Sequence, residues 1–198
     1  MIDAVLDISR YQRLEAGAFH AMQNDGILAV IHKASQGTSY VDPAYADAKK
    51  RAGVVGMLFG AYHFGTSSNP VDQADHFLEA AWGTNFLVLD WEGNKEATMS
   101  RLQAEGVVQR IFDKTGVWPV LYSGQAFFKA NSNASKILAR CPFWIARYNV
   151  KPPTIKNWKL WQYTSEGRVK GIEGNVDRNR FKGTAEELQA WWKQQEGA

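Results

Sequence analysis

The chain has 198 residues, enough for one sizeable core and short for two domains. Its 45% hydrophobic and 22% charged residues give the balance of an ordinary globular protein. A net charge of +3 without a Lys/Arg run offers no ground for nucleic-acid binding, and one cysteine, Cys141, excludes an intrachain disulfide and a cysteine zinc cluster.

In chain order, a first apolar run predicts a strand over Ala4–Ile8, and an amphipathic stretch predicts a helix over Leu14–Asn24. A strand over Ile27–Ala34 and a helix over Pro43–Ala52 follow, then a strand over Val54–Phe64 and a helix over Val71–Trp82. The fourth strand, Phe86–Glu92, leads to a helix over Ala97–Thr115, and the fifth, Pro119–Ser123, to a helix over Gln125–Ala139. Strands over Phe143–Arg147, Lys159–Tyr163 and Ile172–Asp177 come next. The last helix spans Ala185–Gln195, with Thr184 and Glu187 in a capping-box arrangement. Strand–helix alternation of this kind predicts an α/β protein with a parallel sheet, and eight strands in this length favour a closed barrel over an open sheet. The helices thin out after Ala139, and no Gly-, Ser- or Pro-rich linker interrupts the chain. One irregular, TIM-barrel-like β/α barrel over residues 1–198 is therefore expected.

The fourth strand carries the strongest chemical signal. Phe86-Leu87-Val88-Leu89 runs into Asp90-Trp91-Glu92, and strand alternation puts both carboxylates on one face with Trp91 on the other. Two carboxylates held together cannot both ionise freely, so one keeps a proton near neutral pH. Glycosidic bond cleavage uses such an acid-plus-anion pair. The other strands also end in polar or aromatic groups. Asp7-Ile8-Ser9-Arg10-Tyr11-Gln12 ends the first, His32 to Gly37 the second, and Ala61-Tyr62-His63-Phe64 the third. Tyr122-Ser123, Ala146-Arg147-Tyr148, Trp161-Gln162-Tyr163 and Asp177-Arg178-Asn179 end the remaining four. In a barrel these ends form one mouth, where active sites lie.

These segments, in this order, resemble the glycoside hydrolase family 25 lysozymes, the Chalaropsis-type muramidases. The resemblance runs from Asp7 to Phe181. It rests on Asp7-Ile8-Ser9, Lys33-Ala34-Ser35-Gln36-Gly37-Thr38, Gly60-Ala61-Tyr62-His63-Phe64 and Leu89-Asp90-Trp91-Glu92. Leu121-Tyr122-Ser123, Trp144-Ile145-Ala146, Trp161-Gln162-Tyr163 and Val176-Asp177-Arg178-Asn179 complete it. It implies an irregular β/α barrel that cleaves the β-1,4 bond between N-acetylmuramic acid and N-acetylglucosamine of peptidoglycan. It also implies that the family's acid pair falls on Asp90 and Glu92, and its other recurrent acids on Asp7 and Asp177.

Glu92 is the expected proton donor, against the reading of a surface glutamate opening a loop. Asp90 is expected to stabilise the substrate's 2-acetamido group or to act as nucleophile. Asp7 and Asp177 are supporting acids; the plainer readings have Asp7 holding Ser9 or Arg10 and Asp177 paired with Arg178 or Arg180. Tyr62, Lys33, Tyr122, Trp144, Tyr148, Trp161, Gln162 and Tyr163 are candidate substrate-binding residues, with core packing or a salt bridge as the ordinary alternatives. His32 and His63 lack zinc-site spacing and read as packed histidines, Cys141 as buried filler, and Trp191-Trp192 as a clamp with one ring partly exposed. No metal or cofactor is called for. The expected partner is the peptidoglycan glycan strand, with no nucleic acid and no membrane insertion, for a monomer. Met1 to Asp7 shows no signal-peptide pattern, so synthesis in the cytoplasm and action on the wall after phage release, effector delivery or secretion is expected. A catalytically silent wall-binding module and a hydrolase of chitin or a similar polymer are the competing functions.

Overall fold

The computed structural model describes residues 1–95, 97–148, 151–195 and 197. Eight strands form the barrel: β1 (Ile2–Ile8), β2 (Ala29–Gln36), β3 (Leu58–Phe64), β4 (Leu87–Asp90), β5 (Val120–Gly124), β6 (Phe143–Ala146), β7 (Trp158–Gly167) and β8 (Val176–Phe181). Each pairs with the next, β8 pairs with β1, and the sheet closes on itself. The helices are α1 (Ala18–Asn24), α2 (Tyr45–Val54), α3 (Pro70–Ala80), α4 (Arg101–Thr115), α5 (Gln125–Asn131) and α6 (Ala185–Gln195). One helix follows each of the first five strands, no α-helix follows β6 or β7 among the described residues, and α6 follows β8. The expected irregular α/β barrel with a helix-poor second half is the observed one.

The all-parallel expectation needs correction, because β8 runs antiparallel to both β7 and β1. Residues 168–175 alone separate β7 from β8, too few for a parallel crossover of about a dozen residues. The predicted Ile172–Asp177 strand is divided: Ile172–Glu173 pairs with Arg13–Leu14 in a small separate sheet, and β8 begins at Val176. Gly174, with φ 87°, makes the turn between them. Reversal brings the start of β8 to the mouth, so Asp177 lies opposite Asp7 in the β1–β8 register.

Several helix limits follow local chemistry. The long first helix predicted from Leu14 begins at Ala18, after Gly17 at φ 73°. The fourth begins at Arg101 because Ser100 and Gln103 form a reciprocal capping box. The predicted Gln125–Ala139 helix stops at Asn131, where Asn133 and Ala134 turn left-handed, and a short 3-10 turn covers Leu138–Arg140.

Alternation sorts each strand into an inner and an outer set. Leu6 and Ile8 of β1 pack outward with Ala18, Phe19 and Met22, while Val5 faces in with Ile31, Val88 and Val120. Both faces are covered, so the strands read as continuous apolar runs. The barrel floor is closed by α6. Trp192 stacks on Phe86 with centroids 3.6 Å apart, and Trp191 stacks on Phe181 at 5.4 Å. Both tryptophans are buried, where the sequence reading leaves one partly exposed. Gly60 lets Phe86 in: a Cβ at that position would stand 2.8 Å from the ring.

Candidate active site

The catalytic-type pair is placed by its neighbour. Trp91 is fully buried outside the barrel, its indole N–H donating to the Met99 carbonyl at 2.9 Å and its ring edge-on to Phe127. With Trp91 fixed outward, Asp90 at the end of β4 and Glu92 just beyond it both face the mouth. They line a pocket of about 310 Å³ together with Asp7 and Asp177. Four carboxyl groups thus share one cavity. Lys33 is the only cation among the described residues of its lining.

Burial dominates the ionisation of all four acids. It pushes Asp90 well above the usual carboxylate range, helped by Glu92 and opposed by Lys33. Glu92, less deeply placed, is also raised by burial and by Asp177, again against Lys33. Asp7 is raised to about 8 by burial and then Asp177, while hydrogen bonds from Asn179 and Gln162 pull it down. Asp177 is raised to about 6 by burial. Asp90 Oδ1 is buried without a hydrogen-bond partner among the described residues. A cavity of this kind holds protons at neutral pH and leaves an acceptor for an incoming donor.

Lys33 makes no ion pair among the described residues. Its Nζ donates to Gln36 Oε1 at 2.6 Å and sits over the Phe64 ring at 4.9 Å; burial lowers its pKa, and Asp90 and Asp42 oppose that. The plainer readings of two acids do not describe their surroundings. Gln12 and Asp42 bond the Ser9 and Arg10 amides, in place of Asp7. Arg178 pairs with Asp3, and Arg180 lies over the Tyr163 ring, so neither arginine is held by Asp177.

Of the candidate binding residues, Tyr62, Lys33, Tyr122, Trp144, Tyr148 and Gln162 line the pocket. Trp161 and Tyr163 are not brought there. Trp161 packs in the outer core with its N–H on the Arg147 carbonyl, and the Tyr163 hydroxyl donates to Asp3. Gln162 is 3% exposed and fully engaged, accepting from the Tyr122 and Tyr148 hydroxyls and donating to Asp7. His32 and His63 are buried away from the lining. His32 Nδ1 donates to the Lys33 carbonyl, and His63 bridges Ser35 and Gln73 with its pKa lowered to about 3 by burial.

Sequence reasoning passed over Ser9, Tyr11 and Phe64, which also line the pocket, and Asn179, which contacts Asp7 from below it. The alternation that pairs Asp90 with Glu92 also aligns Asp7 with Ser9, Tyr62 with Phe64, and Asp177 with Asn179, whereas Tyr11 lies in the turn after β1, where alternation gives no signal. A larger cleft of about 560 Å³ lies beside the N-terminal end of β4, but among the described residues no carboxylate lines it and Lys114 is its one charged group. The four clustered carboxyl groups are at the mouth.

Known proteins carry the same arrangement of chain. The model of glycosyl hydrolases family 25 matches residues 6–172. The protein YegX of Escherichia coli O157:H7 is 35% identical over 94% of this chain and 72% of its own. Lysozyme M1 of Streptomyces globisporus is 30% identical over 93% of this chain and 69% of its own. A bacterial lysozyme structure from Streptomyces coelicolor superposes with a TM-score of 0.88 at 28% identity, over 98% of this chain and all of that one. The chain is a glycoside hydrolase and belongs to glycosyl hydrolases family 25.

Proposed function

We propose that this glycoside hydrolase cuts the β-1,4 bond that follows N-acetylmuramic acid in bacterial peptidoglycan, acting at the cell wall. The single observation that carries the reading is the Asp90/Glu92 pair on one wall of a cavity shared with Asp7 and Asp177. Glu92 gives its proton to the glycosidic oxygen as the C–O bond breaks. The oxygen of the substrate's own 2-acetamido group forms the new bond to the anomeric carbon, and Asp90 accepts the acetamido N–H. Water then attacks that carbon as its bond to the acetamido oxygen breaks, and Glu92 takes the proton that the water loses.

Two features favour this route over direct attack by Asp90. A nucleophile must be anionic, and burial with Glu92 beside it disfavours charge on Asp90. Its unpartnered Oδ1 supplies an acceptor where an amide N–H would be satisfied. Tyr62, Tyr122, Tyr148 and Lys33 line the same cavity, which supports a role for them in contacting the sugar or its acidic lactyl substituent.

Digestion of purified sacculi and of chitin tests the substrate. New reducing ends from sacculi with none from chitin are expected. Equal release from chitin overturns the peptidoglycan assignment, and binding to sacculi without any release overturns catalysis.

A further inference from the structure

The hydrogen bonds around Asp7 run in one direction. The Trp144 indole N–H donates to Asn179 Oδ1 at 2.7 Å. An indole has a donor and no acceptor, so it fixes which end of the Asn179 amide it meets. Asn179 Nδ2 is thereby turned to Asp7 Oδ2 at 2.8 Å and to the Val5 carbonyl at 3.3 Å. Gln162 is set in the same sense. Its Oε1 accepts from the Tyr122 and Tyr148 hydroxyls at 2.8 and 2.9 Å, and its Nε2 donates to both Asp7 oxygens at 3.0 and 3.1 Å. Asn179 is wholly buried and Trp144 is 2% exposed, so a flipped amide would find no water to replace these bonds.

The sheet topology makes this possible. Asn179 is the register partner of Val5 on β1 and of Gln162 on β7, because β8 runs antiparallel between them. Among the described residues, Asp7 is the only one of the four pocket acids whose carboxyl receives side-chain hydrogen bonds.

We propose that Asn179, with its amide locked by the Trp144 indole, is a positioning residue for Asp7, fixing the orientation of that carboxyl and easing its ionisation. The proposal rests on the reading of Asp7 as a supporting acid of glycan cleavage. Amide N–H donors favour the charged form of a carboxyl. Burial and Asp177 act the other way and raise Asp7 to about 8, so the amides keep its ionisation within reach of neutral pH. The groups facing it are Asp177 on β8, Asp90 and Glu92 at the end of β4, Lys33 on β2, Tyr62 on β3, Tyr122 on β5, and Tyr148 after β6. Lys33 is the one cation of the set, and it is occupied by Gln36.

The test uses Asn179→Ala, which removes the donor, and Trp144→Phe, which keeps a ring but frees the amide to flip. Carbon-13 NMR titration of the aspartate carboxyls reads Asp7 directly, and the pH profile of reducing-end release from sacculi reads its effect. Both variants are expected to raise the Asp7 midpoint, by about one pH unit for Asn179→Ala and less for Trp144→Phe. The acidic limb of kcat/KM should move to higher pH in the same order. An unmoved Asp7 midpoint in a folded variant, with activity lowered equally at every pH, overturns the proposal. A moved midpoint with an unmoved limb keeps the positioning and removes Asp7 from the reaction, so the two readings fail separately.

Discussion

Replacing Glu92 by Gln is expected to lower reducing-end release from sacculi by about a hundredfold to ten-thousandfold, the range of a lost general acid. The substitution keeps the size and polarity of the side chain and removes the transferable proton. Burial and Asp177 both favour the protonated acid at Glu92, so a neutral amide fits the unliganded pocket. Circular dichroism should therefore match the parent chain, with Tm equal to the parent at low pH and no lower above it. A folded Glu92→Gln variant with parental lysis would remove Glu92 from the reaction.

Replacing Asp90 by Asn should trade activity for stability. The Asp90 carboxyl is 7% exposed, its ionisation is opposed first by burial and then by Glu92, and its pKa is raised. A raised folded pKa contributes stability that is fully present below the unfolded value, about 3.9, and is lost as pH rises toward the folded value. Asparagine does not titrate. The gain from Asp90→Asn is therefore small near pH 4 and grows as pH rises through neutrality, read as a Tm difference from the parent chain that widens with pH. Lysis should fall at least about a hundredfold, because the Asp90 carboxyl can give up its proton as positive charge develops on the acetamido group, whereas an amide cannot. A variant that melts lower at every pH, or one that keeps full activity, contradicts this account of the pair.

The period of two carried most of what the sequence disclosed. It aligned Asp90 with Glu92, and the same rule applied to Gln162 places Trp161 and Tyr163 on the outer face, where the structure has them. Treating those three neighbours as one binding group overlooked that rule. The direction of β8 was less legible, since alternation is identical for either direction of a strand; the short 168–175 connection was the available clue. The burial of both Trp191 and Trp192 depends on a floor that only the closed barrel creates, with Phe86 supplied just before β4 and Phe181 at the end of β8. Asn179 was visible as the polar residue two places after Asp177. Its importance came from Trp144, a partner 35 residues away that no local pattern pairs with it.

The most direct measurement is mass spectrometry of muropeptides from digested sacculi after borohydride reduction. Cleavage as proposed leaves the new reducing end on N-acetylmuramic acid, which appears as the reduced sugar, and Glu92→Gln should yield almost none of it. A reduced N-acetylglucosamine end would contradict the account.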